Sequence, residues 1–259
     1  MTEPSDAGPP APASSRSRLI WREAEVLAVV PETPRTRSLV LQLPDWPGHS
    51  PGQHVDLRLT AEDGYQAQRS YSIASPPERP DLVLTVERID DGEVSPYLTE
   101  EARPGDRLEL RGPIGGYFTW TAMLPGPVQF VAGGSGVVPF MAMLRHRAHS
   151  RTRPAARLLY SSRTRDDIIY REELERLAAD DPQLEVVHTL TRESPPDWSG
   201  QRGRVDLEML RAFAFSPQQG PRIYVCGPTP FVESVADALV LLGHAPESIK
   251  TERFGPTGG

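Results

Sequence analysis

The run Arg69-Ser70-Tyr71-Ser72-Ile73-Ala74-Ser75 places a cation, a flat aromatic ring and small hydroxyl donors within one short segment. Tyr71 and Ile73 alternate with Ser70, Ser72 and Ala74, the period of a strand with two unlike faces. Arginine grips a phosphate with a bidentate fork. A tyrosine two residues further along a strand lies on the same side and can stack on a flat ring. Ser72, a small donor beside such a ring, can hydrogen-bond one of its nitrogens. An ordinary half-buried strand with one surface arginine has the same pattern.

Two other segments carry phosphate chemistry. Gly133-Gly134-Ser135-Gly136-Val137-Val138-Pro139 follows an apolar run over 128–132 and precedes a helix expected over 139–149. Strand, glycine loop and helix start come in the order of a nucleotide-binding βα unit. The glycines let backbone approach a pyrophosphate, and the helix N-terminus favours its charge. Pro139 stands in place of the third glycine of the dinucleotide fingerprint. Earlier, Asp91-Gly92-Glu93-Val94-Ser95 leads into Pro96-Tyr97-Leu98, with Ser95 as an N-cap and Pro96 as the first helical residue. That helix start would offer free N–H groups to a phosphate, although a plain strand-to-helix turn reads the same. Gly112-Pro113-Ile114-Gly115-Gly116-Tyr117-Phe118 either passes close to a ligand or ends a sheet.

The elements that position these motifs fall into two halves. Strands are expected over 19–30, 37–43, 54–59, 69–75, 81–90 and 107–111. Proline, Pro51-Gly52, Asp63-Gly64 and Pro104-Gly105-Asp106 turns separate them. Six short strands with little helix predict a small antiparallel barrel over 19–122. After Pro125-Gly126-Pro127 the pattern changes. Strands over 157–161, 184–190, 222–226 and 249–254 alternate with helices over 166–179, 206–213 and 230–242. That alternation predicts an α/β domain over 126–259, a parallel sheet covered on both faces. Ligands of such sheets lie beyond the carboxyl ends of the strands. Ser135, Arg163, Arg192 and Cys226-Gly227-Pro228 all fall there. Residues 1–18, rich in proline, alanine and serine, read as a disordered tail.

Composition excludes several classes. The 259 residues suffice for two medium domains. A net charge of −7 argues against nucleic acid or an anionic membrane as partner. There is no apolar run long enough to span a bilayer and no secretory-type apolar core near the start, so a cytoplasmic location is expected. The single cysteine, Cys226, excludes an internal disulfide, an all-cysteine zinc site and a cysteine-ligated iron–sulfur cluster. The six histidines show no metal-ligand spacing, and no metal site is expected. Lys250 is the only lysine among 28 basic residues, so a lone arginine carries little information.

Four motifs in order now resemble the ferredoxin–NADP reductase superfamily over about residues 21–254. They are Arg69–Ser75, Gly133–Pro139, Val225-Cys226-Gly227-Pro228 and Glu252-Arg253-Phe254. The resemblance implies an FAD-binding antiparallel Greek-key barrel followed by a nicotinamide-nucleotide domain. Arg69 would hold the flavin phosphate, Tyr71 would stack on the isoalloxazine and Ser72 would sit near its N5. Ser70, Val86, Gly92, Val94 and Ser95 would complete the FAD site, with Gly92 and Ser95 at the diphosphate. Gly133, Gly134, Ser135, Gly136 and Pro139 would meet the nicotinamide nucleotide, as would Ser162, Arg163, Thr191, Arg192, Gly227 and Pro228. Thr191-Arg192 resembles the pair that NADP-specific members place on the 2′-phosphate. Cys226 would lie near the nicotinamide, unless it is simply a small buried side chain. Glu252 and Phe254 match the family's terminal acid and aromatic, with Phe254 on the flavin face opposite Tyr71. Ser72, Cys226, Glu252 and Phe254 are the expected catalytic set. The chain continues past that aromatic as 255–259, like bacterial-type members with a short extension. The activity implied is NAD(P)H-dependent, NADPH favoured, with hydride passing to FAD N5 and electrons leaving to a separate acceptor protein such as a ferredoxin. An electron-transfer module of a larger complex, and a flavin-free relic of the fold, stay open as alternatives.

Overall fold

The computed structural model describes residues 19–193 and 195–255. The expected disordered tail over 1–18 and the extension over 256–259 lie outside the described residues.

Six antiparallel strands build the first half. They are β1 (Trp21–Thr33), β2 (Thr36–Gln42), β3 (His54–Thr60), β4 (Gln66–Ser72), β5 (Leu82–Glu87) and β6 (Arg107–Ile114). Their order is β4-β3-β6-β1-β2-β5. The two edges meet where Ile73 bridges Leu84 and Ala74 N–H donates to Val83 O at 2.8 Å, so the sheet closes on itself. Alternate inward side chains, among them Val26, Leu39, Leu57, Ile73, Leu84 and Leu110, fill the interior. β1 runs through Pro31, where the sequence reading ended it. The ladder shifts register between Pro31 and Thr33, and such an irregularity accommodates a residue without an N–H.

The helix after β5 also departs from expectation. Ser95 does not cap it: its hydroxyl accepts from Ile89 N–H at 3.0 Å and ties the loop to the end of β5. The turn Tyr97–Glu101 is a wide one, closed by Ala102 N–H to Tyr97 O.

The second half is a parallel sheet of order β10-β9-β8-β7-β11-β12. Its strands are β7 (Val128–Gly133), β8 (Ala156–Ser162), β9 (Leu184–Leu190), β10 (Gln201–Arg202), β11 (Arg222–Pro228) and β12 (Ile249–Phe254). Every residue of β7 is buried, as a central parallel strand requires. Helices α1 (Val138–His149), α2 (Arg171–Asp180), α3 (Leu207–Phe213) and α4 (Thr229–Leu241) cover it, with one core on each face. The two-residue β10 was not expected; it is too short to show a period.

The helix expected over 166–179 is split. Thr164 and Asp167 form a capping box around a single 3-10 turn, Arg165–Asp167. Ile168, Ile169 and Tyr170 then bury themselves, and the helix restarts at Arg171. Tyr170 takes φ +60° to make the corner. Among the described residues no helix is long and apolar enough to cross a membrane.

Candidate functional site

The chain leaves β7 for β8 on one side and returns through β11 on the other. The crevice beyond these two strands is therefore the switch point where parallel sheets bind ligands. Its floor is built of glycine. A Cβ on Gly133 would meet Phe231 of α4 at 2.9 Å, and one on Gly227 would meet the same ring at 2.7 Å. A Cβ on Gly136 would lie 2.2 Å from Cys226 O. Packing of the loop against β11 thus already requires glycine at 133, 136 and 227. Gly134, with φ +56°, is the open one, its would-be Cβ nearest Glu87 Oε2 at 3.9 Å. Ser135 is half-buried beside it, and Pro139 is buried in the first turn of α1, where no N–H is missed.

Cys226 and Glu252 are register partners on β11 and β12. The thiol is 2% exposed and held protonated, mainly by burial and then by the charge of Glu252. Burial pushes the Glu252 carboxyl up to about 7, and its Oε2 is buried without a partner. Such a carboxyl gains and loses its proton near neutrality. Phe254, two residues on, lies on the same side of the strand and is 37% exposed.

At the other end of the sheet, Thr191 N–H donates to Ser162 O at 2.9 Å and Arg192 N–H to Arg163 O at 2.9 Å. The expected quartet Ser162, Arg163, Thr191 and Arg192 is thereby one patch at the ends of β8 and β9. Both arginines are exposed, and neither meets a carboxylate among the described residues. Ser162 Oγ is buried and unpartnered.

The flavin motif occupies β4 and the corner beyond it. Tyr71 is half-buried against the barrel core, and burial raises its phenol. Ser72 is half-buried next to it. Ser70 differs from expectation: its hydroxyl donates to Asp56 at 2.6 Å, and Arg111 holds that carboxylate at 2.9 Å. The hydroxyl's donor is thus engaged, and its acceptor lone pairs remain. Val86 and Val94, also expected contacts, have their side chains in the barrel core, 1% and 0% exposed, because each faces inward. They shape the site from behind. Arg69 reaches across to the loop at Gly92, where its Nη2 donates to Glu93 Oε2 at 2.8 Å. Tyr65 O–H donates to the other oxygen of Glu93. The two expected phosphate contacts, at Arg69 and at Gly92 to Ser95, are therefore adjacent. A cation, a glycine turn, an aromatic plate and a hydroxyl suit a dinucleotide-bearing flavin.

Sequence reasoning gave no role of its own to Glu93, which sits inside the Asp91–Ser95 motif, and missed Arg145 of α1, which reaches Ala74, 71 positions earlier. No group of residues among those described has the makings of a metal site.

Family models agree with this anatomy. Residues 26–119 match the oxidoreductase FAD-binding domain, and residues 130–237 match the oxidoreductase NAD-binding domain. The chain is 38% identical to ferredoxin–NADP reductase B of Sorangium cellulosum, over 90% of this chain and 97% of that one. It is 32% identical to the reductase component of the naphthalene 1,2-dioxygenase system of Pseudomonas putida, over 90% and 69%. Among solved structures it superposes on the FAD/NAD-binding domain of a nitric oxide dioxygenase from Vibrio cholerae with a TM-score of 0.80. That match has 25% identity and covers 91% and 99% of the two chains. The chain belongs to the ferredoxin–NADP reductase superfamily.

Proposed function

We propose that the protein is a reductase that takes hydride from a nicotinamide nucleotide, NADPH in preference to NADH, and passes electrons one at a time to a separate redox protein such as a ferredoxin. Bound FAD supplies a ring that accepts two electrons together and releases them singly. The chain's own residues bind, orient and manage protons. Arg69 and the backbone at Gly92 to Ser95 hold the diphosphate. Tyr71 backs one face of the ring and Phe254 covers the other. The crevice at Gly134 and Ser135 receives the nucleotide's pyrophosphate, and Arg163 with Arg192 receives its adenosine end. Glu252, with a carboxyl near neutrality, exchanges a proton at Oε2 beside the reacting ring.

The observation that carries this reading is the convergence of two built sites, the β4 corner and the β7–β11 crevice, linked through α1, whose Arg145 donates to Ala74 O. The test is twofold. Mass spectrometry of the cofactor released by heating should give FAD. The isolated protein should reduce an artificial acceptor with NADPH in steady state. Release of FMN alone, or no turnover by FAD-loaded protein, overturns the reading and returns the chain to a module of a larger complex.

A further inference from the structure

Arg145 lies two turns along α1, the helix that begins directly after the Gly134–Val137 turn. Its guanidinium leaves the nucleotide domain and donates through Nη1 to Ala74 O at 2.7 Å. Ala74 is the second residue after Ser72, at the corner where β4 ends. One side chain therefore connects the helix that carries the glycine loop to the segment that carries the flavin motif.

The guanidinium is fixed on every side. Nε and Nη2 form a bidentate pair with Glu173 of α2, at 2.8 and 2.6 Å. Its carbon sits 4.7 Å from the centre of the Tyr170 ring. The Tyr170 hydroxyl in turn meets Thr85 Oγ1 of β5, a second crossing between the domains. Thr85 Oγ1 lies 2.8 Å from Ser38 Oγ, and Ser38 donates to Glu32 at 2.6 Å. On the barrel side the corner is pinned as well. Ser75 Oγ accepts from Val83 N–H at 3.0 Å, and Ser75 O lies 2.9 Å from His49 Nε2. A planar fork with three engaged nitrogens holds direction in a way that an ammonium cannot.

We propose that Arg145 is a positioning residue for hydride transfer, setting the distance between nucleotide crevice and flavin corner through its bond to Ala74 O. The inference rests on the reductase reading above. Transfer requires donor and acceptor atoms at near contact, and a displacement of about 1 Å can slow such a step about a hundredfold. The guanidinium's contacts are to Ala74, Glu173 and Tyr170, so its loss should alter alignment and leave the binding of each partner intact.

The experiment uses the FAD-loaded protein, mixed anaerobically with saturating NADPH in a stopped-flow instrument. Arg145→Lys keeps the charge and loses the fork; Glu173→Gln keeps the fold's shape and loosens the guanidinium. The limiting rate of flavin reduction should fall at least tenfold in the first and at least threefold in the second. FAD content and the Kd for NADP⁺ should stay within twofold of wild type. Hydrogen–deuterium exchange of cofactor-free protein should show faster exchange at residues 73–76 in both variants, with the interior of β7 unchanged. A limiting rate within twofold of wild type in Glu173→Gln overturns the proposal, whether or not Arg145→Lys folds. So does a loss of rate that merely follows loss of FAD and of nucleotide affinity, which would mean a stability role alone. A wild-type protein that NADPH does not reduce would instead sink the reductase reading.

Discussion

Arg69 and Glu93 face each other from β4 and the loop after β5, Nη2 to Oε2 at 2.8 Å. The cation expected to grip a flavin phosphate thus has a carboxylate from its own chain within reach. A phosphate at Arg69 would compete with this carboxylate for the fork. Glu93→Gln should therefore tighten FAD binding and make it more sensitive to salt, since an unpaired cation then meets the phosphate, while Arg69→Ala should weaken it. Titration of cofactor-free protein with FAD, followed by flavin fluorescence at two salt concentrations, decides this. Equal Kd values for wild type and Glu93→Gln would show that the two acids do not share the site.

Glu252 makes stability fall as pH rises. Its folded value of about 7 lies above the ordinary 4.5, so between these the folded state holds a proton that the unfolded chain has released. The contribution is fully present below about pH 4.5 and is lost as pH climbs through 7. A gap of this size corresponds to roughly 3 kcal/mol in the limit. Glu252→Gln removes the titration. Its melting temperature should change less between pH 5 and pH 8 than that of the wild type. Parallel curves for the two proteins would show that Glu252 is not the group responsible.

The adenosine end gives a third expectation. Arg163 and Arg192 are adjacent through their backbones, exposed, and without a carboxylate partner among the described residues. Arg157 and Arg165 nearby are paired instead, with Glu185 and Asp197. A 2′-phosphate meeting Arg192 would gain about 1.5–3 kcal/mol, a preference of roughly ten- to a hundredfold. Comparison of kcat/KM for NADPH and NADH, in wild type and Arg192→Ala, measures it. Equal use of both nucleotides by the wild type refutes the assignment.

These residues also show what the sequence made legible. Barrel strands, the parallel sheet and β12 followed from alternation and turn chemistry, because each pattern is local. The four motifs lay at strand ends and loops, where backbone demands narrow the choice of residue. What stayed hidden depends on partners distant in sequence. Gly136 looks like a phosphate glycine but is required by the carbonyl of Cys226, ninety positions later. The Ser70 hydroxyl donates to Asp56, fourteen positions earlier, and Asp56 in turn accepts from Arg111. Arg145 is one arginine among many until its fork is seen on Ala74 and Glu173.

Phe254 carries the last expectation. It could have been a core residue of the final strand, whose truncation would cost about 3–5 kcal/mol. The residue is instead 37% exposed, at the end of an edge strand beside exposed Pro228. Loss of the ring should cost less than about 1 kcal/mol of stability. In the reductase reading Phe254 covers the flavin face that the nicotinamide must also reach. Both cannot occupy it, so the ring has to leave before hydride moves; a Cβ on Gly255, the residue after it with φ +129°, would meet no atom within 4 Å. Displacing a stacked aromatic costs about 0.5–1.5 kcal/mol beyond the area it buries. That cost weakens nucleotide binding in the wild type. Phe254→Ala should therefore bind NADP⁺ about two- to tenfold more tightly. Turnover should fall if release of the oxidised nucleotide becomes limiting. Nucleotide titration, thermal melting and kcat on the same variant decide the matter. Unchanged or weaker nucleotide affinity would mean that the ring does not stand in the nicotinamide's way.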